Sequence, residues 1–329
     1  MSAKGLLAVV IATVTLTLAG CSRDEPVAKG DGGGTTTIAV IPKGTAHVFW
    51  QSVHAGARTA ARELGVSVAW QGPQTETMKD QQVSIVQDFI ARKVDGIVLA
   101  PQDENALVPV AEEVGRAGIP LVIFDSAIAS EQYVSFVATD NYRGEAEAAR
   151  RMAKLLNNKG TVIVIKVDPG SASTNAREKG FEETLAKEFP EITIVGSQYG
   201  YSDRMKSRAA AEDLLAKHPD VSGVFGPNES STFGALLALQ ARNLAGKKAF
   251  VGFDSSPELV EALGKNEINA LVLQNPFNMG YQSVKAVVDH LRGKEVPKRI
   301  DTGVYLVTHD NMDEPENKKL LSPDLSILD

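Results

Sequence analysis

VDGIVLAPQDENALVPVAEEVGRAGIPLVIFDS, residues 94–126, carries the pattern that decides the fold. Two short apolar runs, Gly96-Ile97-Val98-Leu99-Ala100 and Leu121-Val122-Ile123-Phe124, flank a stretch from Ala106 to Ala117 with the apolar spacing of a helix. Continuous apolar strands, as opposed to alternating ones, belong to sheets buried on both faces. Buried strands joined through a helix are parallel strands.

The same unit recurs in both directions along the chain. Before it, Thr37 to Ile41 and Val66 to Trp70 read as strands, with helices over Ser52 to Leu64, ending at Gly65, and Gln82 to Arg92. After it come a short strand, Val134 to Val137, and a helix from Arg143 to Leu156. The pattern then restarts. Strands are expected at Thr161 to Ile165, Ile192 to Val195, Gly223 to Phe225, Ala249 to Phe253 and Ala270 to Leu273. Helices are expected at Asn175 to Lys187, Arg204 to Ala216, Thr232 to Ala241, a short one through Leu259, and Met279 to Leu291. Two runs of about 110 residues each make two doubly wound α/β domains, not one large sheet.

Ligands of such sheets sit beyond the carboxyl ends of the strands. The residues there are Pro42-Lys43, Pro101-Gln102, Asp125-Ser126, Asp140-Asn141, Pro227-Asn228-Glu229, Asp254-Ser255 and Gln274-Asn275. They are rich in carboxylates and amides, which bridge adjacent hydroxyls. Phe49 and Trp50 lie at the start of the first helix, and an aromatic face stacks on the C–H face of a sugar. The set points to a small polyhydroxylated ligand.

The first 35 residues point to a compartment. Met1 to Lys4 is a positive start, Leu6 to Leu18 is apolar but too short to span a bilayer, and Leu18-Ala19-Gly20 leads into Cys21. This order reads as a secretory signal over 1–20. Cys21 is the chain's only cysteine, so no intramolecular disulfide is available to it. Residues 21–35 include Gly30 and Gly32-Gly33-Gly34 and read as a flexible tether. The whole chain is 43% hydrophobic and 23% charged, with a net charge of −7. That mild acidity argues against a nucleic-acid partner.

Leu18-Ala19-Gly20-Cys21 resembles a bacterial lipobox, which implies lipidation of Cys21 and a membrane-anchored, extracytoplasmic protein. The body, about Thr36 to Thr308, resembles the ribose-binding type of periplasmic sugar-binding protein. The resemblance rests on Phe49-Trp50-Gln51-Ser52, Val94-Asp95-Gly96-Ile97, Gly118-Ile119-Pro120 with Phe124-Asp125, Ala138-Thr139-Asp140-Asn141, Ala176-Arg177-Glu178-Lys179-Gly180-Phe181, Val224 to Glu229 and Val251-Gly252-Phe253-Asp254. It implies the type I periplasmic-binding-protein fold: two lobes, 36–139 plus 275–303 and 140–274 plus 304–329, joined by a three-segment hinge. Crossings are expected near Ala138 to Asp140, Gln274 to Pro276 and Gly303 to Tyr305. It further implies a monomer that closes over a monosaccharide or polyol and delivers it to an ABC permease, without cofactor or metal.

Carried over position by position, Phe49 and Trp50 cover the sugar ring faces, while Asp125, Arg177, Asn228, Asp254 and Gln274 take its hydroxyls. The chain departs from the ribose binders at Lys43 in place of serine, His47 in place of asparagine, Ser126 in place of arginine, and Ser202 in place of an aromatic. Lys43, His47 and Ser126 join the expected ligand set, and the two cationic residues admit an acidic sugar. Simpler readings stand beside these. Phe49 and Trp50 could be core, Asp125 and Asp254 helix caps, Arg177 a solvated helix residue and Asn228 a turn residue. His54 and His290 read as surface residues.

Two carboxylates across a cleft would also suit a glycosidase. No phosphate loop, nucleophile elbow or zinc-helix motif accompanies them, so an enzyme is not expected. A repressor effector domain would need a DNA-binding module where the signal and tether stand. A ligand-presenting partner of a membrane sensor remains an alternative to transport.

Overall fold

The apolar runs form two six-stranded sheets of near-identical construction. The computed structural model describes residues 35–329. The expected signal segment, Cys21 and most of the expected tether lie outside the described residues. The first sheet has the strand order β2-β1-β3-β4-β5-β11, from β1 (Thr37–Ile41), β2 (Ser67–Trp70), β3 (Gly96–Leu99), β4 (Leu121–Phe124), β5 (Ser135–Ala138) and β11 (Arg299–Asp301). The second has the order β7-β6-β8-β9-β10-β12. Its strands are β6 (Gly160–Lys166), β7 (Ile192–Tyr199), β8 (Gly223–Phe225), β9 (Ala249–Phe253), β10 (Ala270–Gln274) and β12 (Val304–Val307). All neighbours are parallel except β10 and β12. β3 and β4 are buried along their whole length, as continuous apolar runs require.

Helices cover both faces of each sheet. They are α1 (Val48–Leu64), α2 (Lys79–Ala91), α3 (Val108–Arg116), α4 (Asn141–Leu155), α5 (Ala172–Glu188), α6 (Arg204–Lys217), α7 (Glu229–Ala241), α8 (Pro257–Gly264), α9 (Pro276–Leu291) and α10 (Pro315–Leu321). α1 begins four residues before the expected Ser52, so Phe49 and Trp50 stand in its first turn. α8 extends beyond the expected Leu259.

The chain passes between the sheets at 138–141, 274–276 and 301–304. The second passage sends α9 from β10 to the first sheet, where Met279, Val284 and Val287 join Ile38, Val40 and Val122 in one core. α9 approaches α1 through paired glycines. A Cβ on Gly56 would fall 1.9 Å from Phe277 O, and one on Gly280 would fall 2.0 Å from Val53 O. At the passages, Thr139 Oγ1 donates to Gly303 O (3.1 Å), and Arg299 donates to Ala138 O (2.7 Å) and Thr139 O (3.1 Å). α10 buries Leu321 in the core of the second sheet. The chain then returns to α1, whose Arg58 donates to Leu328 O (3.4 Å). The final residues therefore touch the lobe opposite to the one the sequence assigns them. Among the described residues, no helix is long and apolar enough to cross a membrane.

Candidate functional site

The strand ends of the two sheets face each other across a cleft. Between them lies a small cavity of about 30 Å³, lined by Lys43, His47, Phe49, Trp50, Glu76, Asp125, Ser173, Thr174, Arg177, Asn228, Glu229, Asp254 and Gln274. Nine of the ten expected site residues are in that lining. Ser126 is not: it is fully buried, and its Oγ accepts the Ser173 N–H (3.0 Å) across the cleft. A serine hydroxyl at the end of β4 is too short to pass this neighbour and reach the cavity.

Asp125 and Asp254 occupy equivalent places, one residue past β4 and β9, and share an unusual backbone. Their φ angles are 58° and 63°, in the left-handed region that Asp and Asn tolerate better than most residues. Each N–H still extends its strand's ladder, to Val137 O and Val272 O (3.0 and 2.9 Å), while the turned backbone aims the carboxylate into the cleft. Asp254 does not cap α8; Ser256 does, accepting from Leu259 N (3.4 Å). Asp254 Oδ1 accepts from Gln274 Nε2 (2.9 Å), leaving Gln274 Oε1 buried without a partner. Burial pushes the Asp254 carboxyl up to about 6, against the pull of Arg177 and Gln274.

Arg177, only 2% exposed, is not a solvated helix residue. Its Nε donates to Asn141 Oδ1 (2.8 Å) and Nη1 to Pro227 O (3.1 Å). Its guanidinium lies over the Phe253 ring (3.8 Å) and 4.0 Å from Asp254. Behind it, Glu145 is fully buried with both carboxyl oxygens unpartnered, and burial raises it well above the carboxylate range. Asn228 takes a role not expected of it: its Oδ1 caps α7 by accepting from Ser231 N (2.8 Å), while the residue lines the cavity.

The aromatic pair departs from expectation. The Phe49 and Trp50 rings meet edge to face, 4.8 Å apart at 89°. Perpendicular rings do not lie flat on opposite faces of one sugar, so this pair does not form the expected two-sided cover. Trp50 Nε1 donates to Glu76 Oε1 (2.8 Å), and the same oxygen lies 3.2 Å from His47 Nδ1. Burial alone would lower the His47 pKa; the Glu76 hydrogen bond and the charges of Glu76 and Glu229 outweigh it and raise it to about 9. Burial would raise Glu76, but His47, Lys43 and the Trp50 N–H take it down to about 2. His54, by contrast, stacks on Trp70 (4.4 Å) away from the cavity.

Lys43 is buried and makes three bonds: an ion pair to Asp125 (3.1 Å) and donations across the cleft to Ser171 (3.1 Å) and Ser173 (3.0 Å). Further contacts across the cleft join Ser202 Oγ to Glu76 Oε2 (2.9 Å), Ser230 Oγ to His47 Nε2 (3.3 Å), Glu104 N to Gly170 O (3.0 Å) and Lys79 to Asp168 (3.6 Å). The lining residues outside the expected ligand set are Glu76, Ser173, Thr174 and Glu229. Glu229 alone of these stands among the strand-end residues that the sequence points to, beside Asn228. Glu76 lies in the loop after β2, whose polarity resembles any solvated loop, and Ser173 and Thr174 stand in the first turn of α5, just before the expected helix start at Asn175.

The chemistry of this cavity is hydrogen bonding to a compact polar molecule, with one aromatic corner. The periplasmic binding protein domain matches residues 38–295. The ribose import binding protein of Bacillus subtilis is 29% identical over 310 residues, covering 93% of this chain and 99% of that protein. The D-allose-binding periplasmic protein of Escherichia coli is 30% identical over 269 residues, covering 79% and 86%. Among solved structures, a carbohydrate transporter solute-binding protein from Agrobacterium radiobacter in complex with D-arabinose superposes with a TM-score of 0.85 at 32% identity, covering 88% of this chain and 100% of that one. An ABC transporter solute-binding protein from Agrobacterium vitis with bound D-fucose gives 0.84 at 35% identity, covering 87% and 99%.

Proposed function

Because the chain belongs to the ribose-binding type of periplasmic sugar-binding proteins, we propose that it captures one neutral monosaccharide or related polyol between its lobes and delivers it to an ABC permease. The observation that carries the choice of a neutral ligand is the pairing of charges around the cavity. Lys43 is held by Asp125, His47 by Glu76, and Arg177 faces Asp254; Glu229 is bound by Arg204 from outside the lining. No cation is left over for a sugar acid, although Lys43 and His47 taken alone admit one. An anion placed here would have to break a buried pair, which costs several kcal/mol. A neutral sugar leaves the pairs intact and takes up spare acceptors such as Gln274 Oε1. The cavity is small and lined from both lobes, which favours one ring over an oligosaccharide.

The two lobes in this reading are 36–139 plus 275–303 and 140–274 plus 304–329, opening and closing as a monomer. The protein works outside the cytoplasm, held to the membrane through a lipid on Cys21; the Leu-Ala-Gly-Cys sequence supports this. The test is a thermal-shift screen of the tether-free protein, verified ligand-free, against pentoses, hexoses, polyols, cyclitols and sugar acids. Selective native-state binding raises stability as RT ln(1 + [L]/Kd). A concentration-dependent shift with a neutral sugar is expected. A response confined to sugar acids refutes the charge-pairing argument, and silence across the panel refutes the sugar reading.

A further inference from the structure

One carboxylate reaches three functional parts of the cleft at once. Glu76 stands in the loop between β2 and α2, on the first lobe. Its Oε1 receives the indole N–H of Trp50 (2.8 Å) and lies 3.2 Å from His47 Nδ1, both on the same lobe. Its Oε2 receives Ser202 Oγ (2.9 Å), which comes from the loop between β7 and α6 on the opposite lobe. We infer that Glu76 is a positioning residue that couples the aromatic corner of the binding cavity to closure of the lobes.

The coupling follows from geometry. With Oε1 occupied, the plane of the carboxylate is fixed, and with it the position that Oε2 offers to Ser202. A ligand that fits beside Trp50 leaves this geometry undisturbed. One that displaces the indole turns the carboxylate and removes the acceptor that Ser202 meets on closing. Closure then selects for ligand shape at the aromatic corner, in addition to the hydroxyl contacts. His47 extends the same device. Its Nε2 meets Ser230 Oγ (3.3 Å) and lies 3.9 Å from Glu229, both on the second lobe. The charged groups facing His47 are Glu76, Glu229 and Arg204, and Lys43 acts on Glu76. Glu76 is the one that keeps the imidazole doubly protonated, so that both ring nitrogens donate, one to each lobe.

The inference deepens the sugar-binding reading, and its test includes two measurements that need no sugar. The first is an NMR pH titration of His47 in the full body of the protein, wild type against Glu76→Gln. The second is the interlobe distance, from spin labels placed one on each lobe. In Glu76→Gln the His47 midpoint should fall by at least about two pH units, since burial then acts without its carboxylate partner. The interlobe distribution should move toward the open form. Ser202→Ala should open the lobes equally while leaving His47 unmoved, which separates coupling from general loosening and keeps the test valid if the Gln variant folds poorly. Affinities for D-ribose, D-allose, D-arabinose and D-fucose complete the set, with roughly tenfold weaker binding expected in both variants for any sugar the wild type binds. An unmoved His47 in Glu76→Gln, or wild-type closure in both variants, overturns the inference. If no member of the thermal-shift panel, these four sugars included, binds the wild type while both ligand-free readings move as stated, the coupling stands and the sugar assignment falls.

Discussion

Asp254→Asn is the sharpest single perturbation of this site. Alanine is the wrong probe, because the residue sits at φ 63° and an alanine there adds backbone strain of roughly 1–2 kcal/mol to whatever ligand contact is lost. Asparagine tolerates the left-handed backbone, keeps the side chain's shape and can still accept from Gln274 Nε2. What it removes is the charge. Hydrogen bonds to a charged group contribute roughly 1.5–3 kcal/mol against roughly 0.5–1.5 for neutral ones, so losing the charge should raise the Kd of the bound sugar about 5- to 15-fold. Isothermal titration at pH 7.5, with whichever sugar the thermal screen selects, reads this directly. The pH dependence is a second signature. The wild-type carboxyl titrates near 6, so its affinity should fall as pH drops from 7.5 to 5, and the Asn variant should lack that inflection. Stability should move the other way. A carboxyl raised by folding contributes stability that is complete below its unfolded value, near 4, and is lost as pH rises through about 6. The Asn variant escapes that loss and should melt no lower than wild type at pH 7.5. Unchanged affinity with the fold intact, or a wild-type affinity flat through pH 6, would refute the assignment of Asp254 to the ligand.

Glu145 gives a pure stability test. It is buried without partners and raised well above its ordinary range, so its contribution is complete below about 4.5 and is lost as pH rises. Glu145→Gln should therefore gain Tm over wild type by a margin that widens from pH 4.5 to 8, and a constant margin would show the carboxyl is ionised in the fold. Gly280→Ala places a methyl against the Val53 carbonyl and should destabilise by about 1–3 kcal/mol, read from urea unfolding; no change would mean α1 and α9 are not held this closely. In cells, Cys21→Ser should release the protein from washed membranes, and equal retention of both forms would remove the case for an anchor.

The central parallel strands were legible because burial on both faces leaves continuous apolar runs such as Leu121-Val122-Ile123-Phe124, and their carboxyl ends locate the cleft. The edge strands β2 and β7 were legible as well, but the two late edge strands were not. Arg299–Asp301 is short, polar and partly exposed, and Val304–Val307 pairs antiparallel at the opposite sheet's edge; neither carries a period of its own. Asp125, Arg177, Asn228, Asp254 and Gln274 could be placed at the cleft because each directly follows a strand or stands on a recognisable motif. Glu76 could not, because a single carboxylate in Gln71-Gly72-Pro73-Gln74-Thr75-Glu76 has the sequence of a solvated turn, and only the fold brings Trp50, His47 and Ser202 to it. The angle between Phe49 and Trp50 was equally unreadable, since adjacent residues on a helix point in directions that packing decides.

The positions that depart from the ribose binders have a common consequence. Lys43 binds Ser171 and Ser173, His47 meets Ser230, Ser126 accepts the Ser173 N–H, and Ser202 donates to Glu76. Each departure makes a bond from one lobe to the other, and the partners are largely serines. The changes therefore do not act one at a time on the ligand. They replace individual groups of the site with a polar seam whose members need one another: Lys43 offsets the charge of Asp125 where the arginine is missing, and Ser202 leaves room for Glu76 where the aromatic is missing. A single reversion, such as Ser126→Arg, would bury a second cation beside Lys43 with Asp125 as their shared partner, and it should weaken closure rather than restore ribose-like binding.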